Sequence, residues 1–199
     1  MDKLLLEIPS MIETARLIIR KYKKGDGESF LNLLESNNNR EYLKDHITEA
    51  STVKTQEEAE IRIRQFITYW VARERFVMGI WLKTFESYIG QIWIEPKKWE
   101  VPSFELGWFL DRTYQGQALA TEAVKRAIDF LFNDLKAHKI IVLTRDDNER
   151  SFKLAERCGF TKEGHFKDHG IKNGKRFGLY CYRLLKHEYT ARKNKNRIN

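Results

Sequence analysis

The 199-residue chain predicts a mixed α/β fold, a largely antiparallel sheet of about seven strands flanked by helices. Three observations predict it. Ser103–Leu110 alternates as a strand and, after a turn at Asp111–Gly116, an amphipathic helix follows over Ala118–Asp134. Lys139–Leu143 is a short strand with an unbroken apolar run, as expected when both faces are covered, and the helix Arg150–Cys158 follows it, ended by Gly159. Finally, Phe160–Lys167 and Arg176–Leu185 flank Lys172-Asn173-Gly174, and Asn-Gly is the strongest short hairpin signal.

The remaining elements fit this frame. Arg16–Tyr22, rich in β-branched residues, reads as the first strand. Asp26 is placed to cap a helix running to about Glu35, with Phe30, Leu31, Leu33 and Leu34 as its apolar side. Asn37-Asn38-Asn39 reads as a turn and Glu41–Ile47 as a short helix or irregular segment. Thr55-Gln56-Glu57-Glu58 has the form of a capping box. It opens a long helix through Ile61, Phe66, Ile67 and Trp70, with Ile63 off the stripe. Phe76–Lys83 and Tyr88–Ile94 read as antiparallel strands joined at Thr84–Ser87, and Pro96–Glu100 as a loop. Trp81 and Trp93 read as core residues, with the wall of a binding pocket as the alternative.

Composition bounds the function classes. A hydrophobic content of 42% suits a globular chain, and no apolar run approaches the roughly 18 residues of a membrane span. The apolar patch at Leu4–Leu6 is too short for a signal peptide. Cys158 and Cys181 make no disulfide framework, which points to a reducing cytoplasm. Residues 1–188 are expected to form one domain, followed by a basic tail at 189–199. The net charge is +8, concentrated at the end, where Lys186, Arg192, Lys193, Lys195 and Arg197 face Glu188 alone. That end is expected to be a frayed, solvated segment; attraction to RNA-rich surroundings such as a ribosome is the alternative.

The stretch with the most chemistry is Gln115, Gly116, Gln117, Ala118, Leu119 and Ala120. Small residues leave the backbone bare where strand becomes helix, so N–H groups and the helix dipole can meet an anion. A pyrophosphate cradle is one reading; a tight turn that needs small residues is the other. Arg112 is near enough in sequence to add charge. His165 and His169 lack a further ligand set, and no Cys/His constellation for nucleophilic catalysis is evident.

Gln115–Ala120 resembles the Q/R-x-x-G/A-x-G/A signature of the GNAT acetyltransferase superfamily, whose members mostly carry Gly where this chain has Ala118. Asn148-Glu149-Arg150-Ser151, followed by Glu156-Arg157-Cys158-Gly159-Phe160, resembles the superfamily's N-x-x-S … E-x-x-G-F segment. Ile12–Arg20 resembles the first strand of the RimJ/RimL-type branch, which acetylates N-terminal amines of ribosomal proteins. The resemblance implies a sheet splayed between the fourth and fifth strands and acetyl-CoA as cosubstrate, with no metal. It also implies pantetheine pairing with Trp108, Phe109 and Leu110, with Lys139–Leu143 as the other arm. Asn148 would hydrogen-bond the cofactor arm, with a helix N-cap as the alternative role. Ala155 stands where many members have a tyrosine acid, and Ser151 would instead hydrogen-bond the departing sulfur.

An α-amine has a pKa near 8, so a modest base suffices to deprotonate it. Glu105, on the expected cofactor strand, is the candidate; a structural ion pair is its alternative role. The reaction expected is acetyl transfer to a primary amine, first of all a protein N-terminal α-amine such as that of a ribosomal protein. A small amine, polyamine or aminoglycoside, is the second acceptor class. A non-catalytic ribosome- or nucleic-acid-associated module is the reading from another class. A homodimer is expected only by analogy with the superfamily.

Overall fold

A computed structural model of the protein describes residues 3–44, 46–172 and 174–198, the last three by backbone alone. Asn173, at the expected hairpin turn, lies outside the described residues, as does the side chain of Arg197 in the basic tail. The sheet order is β1 (Met11–Glu13), β2 (Leu17–Lys21), β3 (Phe76–Leu82), β4 (Tyr88–Lys98), β5 (Ser103–Leu110), β6 (Lys139–Arg145), β8 (Lys175–Leu185) and β7 (Thr161–Lys172). Every neighbouring pair is antiparallel except β5 and β6. The eighth strand is β1, three residues paired to β2. β4 runs on through Pro96 to Lys98, where the sequence suggests a loop; its pairing with β5 absorbs the irregularity as a register shift between Pro96 and Lys98.

Helices cover both faces. Phe76, Met78 and Ile80 of β3 point into one core with Leu106 of β5 and with Ala123, Ala127 and Leu131 of α5 (Leu119–Asn133). Val77 and Trp81 point into the other, under α1 (Gly27–Glu35) and α4 (Gln56–Ala72). A central strand buried on both sides is why β3 reads as a continuous apolar run. Thr55 opens α4 with both halves of the capping box. The buried line of α4 is Ala59-Ile63-Phe66-Trp70; Ile63 belongs to the core, and Ile61, on the far side of the helix, is exposed. Two short helices, α2 (Asn39–Leu43) and α3 (Glu49–Thr52), bridge α1 to α4, and α6 (Glu149–Arg157) follows β6.

The basic end is not frayed. Residues from 186 form α7 (Lys186–Ile198). Tyr189 stacks on Phe132 with ring centroids 4.6 Å apart, Lys193 Nζ lies 3.0 Å from Asp129, and Arg192 donates to the Gly159 carbonyl. Lys186, which donates to the Phe132 carbonyl at 2.7 Å, Arg192 and Lys193 therefore bind the body of the protein, and the helix's aromatic residue has a partner 57 positions earlier in the chain.

Candidate active site

β5 and β6 pair only at Ser103–Lys139, Phe104–Ile140 and Glu105–Ile141. Beyond that point β5 continues to Leu110 against β4, and β6 continues to Arg145 against β8. Two strands held by opposite neighbours therefore part into a V, and their facing edges are left unpaired. An outer cleft of about 1070 Å³ opens from it, lined on one side by Gln115, Gly116, Ala118, Leu119 and Ala120 and on the other by Asn148 to Ser151, Lys153 and Arg157. A smaller inner cavity of about 180 Å³ lies deeper in the V, between Trp93, Gly107 and Trp108 on one arm and Val142, Leu143 and Thr144 on the other. Four residues line both spaces and mark where they join: His46, Trp108, Asn148 and Ser151.

The cradle is built by contacts from far along the chain. Asn37 donates to the Asp111 carboxylate at 3.0 Å, and the Arg112 N–H donates to Asn39 Oδ1 at 2.9 Å. Asn39 is fully buried and also donates to the Leu33 carbonyl, so the run read as a turn is a bolt holding the loop after β5. Arg16 grips the other end, donating to the Gln117 carbonyl at 3.1 Å and to Glu122 at 2.7 Å. Burial pushes the Glu122 carboxyl up, but hydrogen bonds from Thr14 and Arg16 outweigh it and hold the group below the usual carboxylate range. The Gln115 N–H is partly taken, donating to the Arg112 carbonyl at 3.4 Å. No described residue accepts from the N–H groups of Gly116, Ala118, Leu119 or Ala120. Gly116 has φ +77° and a Cβ there would meet nothing within 4 Å, so that backbone faces open space. Ala118 stands at φ 60° without a side-chain cap, a left-handed conformation that costs an alanine about 1 kcal/mol.

Bare amides at a helix start fit a diphosphate, and Arg150, Lys153 and Arg157 add positive charge on the opposite wall. Arg150 also bridges the walls, donating to Gln115 Oε1 at 2.8 Å. Of the expected cofactor-binding residues, Trp108, Phe109, Leu110, Gln115, Gly116, Ala118, Leu119, Ala120, Asn148 and Ser151 line this cleft. Arg112 and Gln117 do not: both side chains are exposed, and the 3₁₀ turn over 112–114 carries Arg112 away from the opening. Asn148 caps α6, its Oδ1 accepting from the Ser151 N–H at 3.2 Å, which leaves its Nδ2 group to donate into the cleft.

Glu105 is placed differently from the expectation. It sits at the vertex where β5 and β6 still pair, lines neither cavity, and its carboxylate lies 2.8 Å from Lys97 Nζ. Burial lowers the Lys97 pKa, but its hydrogen bonds to Glu105 and Glu95 outweigh that and raise it. Trp81 is buried in the core under α1 and α4, as expected, whereas Trp93 walls the inner cavity. The indole of Trp93 lies across Gly107, where a Cβ would stand 2.1 Å from its Cε2. Burial pushes the Cys158 thiol up to about 11 and raises Cys181 as well, so neither is a thiolate near neutral pH. His165 pairs with Asp146 at 3.0 Å, and no group of three or more metal-ligating side chains gathers among the described residues. Sequence reasoning missed His46, which lies in the segment read only as a short helix or irregular and carries no local signal of its own.

A parting strand pair facing a helix start with free amides makes a cleft that fits a diphosphate carried on an amide-bearing arm. The family model of the Acetyltransferase (GNAT) domain matches residues 16–161, and the chain belongs to that family of N-acetyltransferases. It is 24% identical to the uncharacterized N-acetyltransferase YnaD of Bacillus subtilis over 179 residues, 90% of this chain and 99% of that protein. A shorter match, 30% over 89 residues, links it to the putative ribosomal N-acetyltransferase YdaF of the same organism, covering 45% of this chain and 49% of YdaF. Another, 32% over 79 residues, links it to the spermidine N(1)-acetyltransferase of Vibrio cholerae, covering 40% of this chain and 46% of that enzyme. The solved structure of RimL, a ribosomal L7/L12 α-N-protein acetyltransferase in complex with coenzyme A, superposes with a TM-score of 0.80 at 19% identity, covering 91% of this chain and 98% of that one. That likeness shows the fold. No helix among the described residues is long and apolar enough to cross a membrane.

Proposed function

We propose that the protein transfers the acetyl group of acetyl-CoA to the α-amine of a polypeptide N-terminus. The observation that carries the acceptor class is the inner cavity. Its lining holds two tryptophans, aliphatic side chains, the neutral polar groups of Thr144, Asn148 and Ser151, His46 and Arg145, and no carboxylate among the described residues. A polyamine presents several positive charges, and a pocket selecting it would need carboxylates to replace its hydration. A peptide α-amine asks only for room, an apolar wall and a proton acceptor. Names among the relatives support both acceptor classes, ribosomal protein and spermidine, so the cavity's chemistry is what favours the first. A ribosomal protein is the acceptor supplied by the branch resemblance, and the net charge of +8 suits phosphate-rich surroundings.

In this reading the amides of Gly116 and of Ala118 to Ala120 hold the diphosphate, with Arg150, Lys153 and Arg157 facing the remaining phosphate charge. The unpaired edges of Trp108–Leu110 and of β6 beyond Ile141 hold the amide-bearing arm, with the Asn148 side-chain amide donating to it. The bound acetyl-CoA supplies the activated acyl group. Ser151, at the junction of the two spaces, hydrogen-bonds the sulfur as it gains charge. A thiolate of pKa about 8.5 needs no stronger acid.

The test is calorimetry with coenzyme A followed by a thiol-release assay on three amines, a tetrapeptide with a free N-terminus, spermidine and kanamycin, with the N-acetylated tetrapeptide as the blocked control. Micromolar binding and turnover of the free tetrapeptide alone are expected. Preference for spermidine or kanamycin would replace the acceptor class. No binding at millimolar coenzyme A would remove the enzymatic reading in favour of a non-catalytic module.

A further inference from the structure

We infer that His46 is the proton acceptor for the attacking amine, taking the proton directly or through one water. The inference rests on the transfer reaction proposed above. Two facts of placement carry it. His46 lines both the outer cleft and the inner cavity, and it shares that junction only with Trp108, Asn148 and Ser151. Of those four, it alone carries a group that titrates near neutral pH. It is also pinned. Its N–H donates to the Leu43 carbonyl at 2.8 Å, and the residues anchoring its segment, Leu43 and Ile47, are buried in the core under α1 and α4. Glu105, the base suggested by the sequence, is held by Lys97 and lines neither space.

The electrostatic surroundings suit a base. The imidazole is open to solvent on one side, yet the cleft walls withdraw enough water to pull its pKa below the usual histidine range; the Arg145 guanidinium acts the same way and Asp147 opposes it. Arg145 is itself bound to Asp147, which weakens both effects. Among the described residues of its own segment the neighbours are Tyr42, whose ring centroid is 6.1 Å away, and Lys44; from α6, Glu149 and Arg150 line the same cleft. The lowered pKa favours the neutral ring, whose lone pair can accept a proton. The ammonium gives one proton to the imidazole and the freed lone pair forms the C–N bond. As the C–S bond breaks, its electron pair leaves on sulfur, the nitrogen sheds its second proton to that thiolate to give neutral amide and free thiol, and the imidazolium releases the first proton to water.

The test is the pH dependence of kcat/KM on whichever of the three amines the wild-type protein turns over. With a base of depressed pKa, the wild-type rate on an α-amine stays level from pH 8 down to neutrality and below. In His46→Gln only the amine that is already neutral reacts, so the rate falls about tenfold per pH unit below pH 8. The gap is expected to reach about 30-fold at pH 6.5 and to close by pH 9. Coenzyme A affinity should be unchanged, and imidazole added to His46→Gly should restore the neutral-pH rate. A His46→Gln profile parallel to wild type, or one in which Glu105→Gln removes the level region instead, would overturn the assignment while leaving the acetyltransferase reading intact. Absence of transfer to any of the amines by the wild-type protein would overturn both.

Discussion

Two helices begin at the same cleft, and they begin differently. Ahead of α6, Asn148 does what a helix start ordinarily demands: its side chain accepts from the third N–H in line and satisfies one of the orphan donors. Ahead of α5, Ala118 offers no acceptor, adopts a strained left-handed conformation, and leaves the neighbouring amides free. Both helices aim the positive end of their dipoles into the opening. The capped start delivers side chains, the Asn148 amide and the Ser151 hydroxyl. The uncapped start delivers backbone. A site for a doubly charged diphosphate needs the second kind, because amides already satisfied by the protein have nothing left to donate.

The comparison breaks most sharply at Ala118. Ala118→Asp would give α5 the cap it lacks, tolerates the left-handed backbone better, and places a carboxylate where the phosphates sit. Coenzyme A affinity should fall about 100-fold by calorimetry, the loss of one or two charge-assisted hydrogen bonds. The melting temperature should hold or rise by about 2–4 °C, a cap being worth roughly 1 kcal/mol. Affinity within twofold of wild type would mean that these amides are not the cradle. Asn148→Ala is the reciprocal change. It removes both the cap and a donor into the cleft, so the melting temperature should drop by about 2–4 °C and kcat/KM about tenfold. A loss of stability with unchanged kinetics would make Asn148 purely a cap. The smallest effect belongs to Ala118→Gly, which relieves about 1 kcal/mol of backbone strain and, with no methyl beside the phosphates, should tighten coenzyme A by no more than about threefold. Weaker binding would show that the alanine preorganises the loop.

The uncapped start was legible in the residues, because Gly116, Ala118 and Ala120 are small wherever the chain turns from strand to helix. So was the capping residue of α6, with its two roles left open. Glu105 shows where that kind of reading stops. Alternation along β5 correctly puts it on the face opposite Leu106, but its distance from the parting of the strands depends on where β6 pairs, and Lys97 reaches it from the neighbouring strand β4. His46 shows the complement: nothing in its neighbours marks it, and it enters the site because Leu43 and Ile47 are drawn into a core formed with α1 and α4.

What the residues determined on their own is what a short period or a single turn carries: seven of the eight strands, the capping box of α4, the stripe of α5, the glycine after α6, and the bare loop at 115–120. Each is set by forces acting within a dozen positions. Tertiary structure decided which of those pieces meet. Arg16 holds the loop from 101 residues away, Asn39 holds it from 73, and α7 docks through Tyr189 onto Phe132. It also decided that β5 and β6 part after three pairs, since β4 claims one and β8 the other. Local pattern cannot encode such choices, because they are settled by competition among distant surfaces for burial and for hydrogen-bond partners.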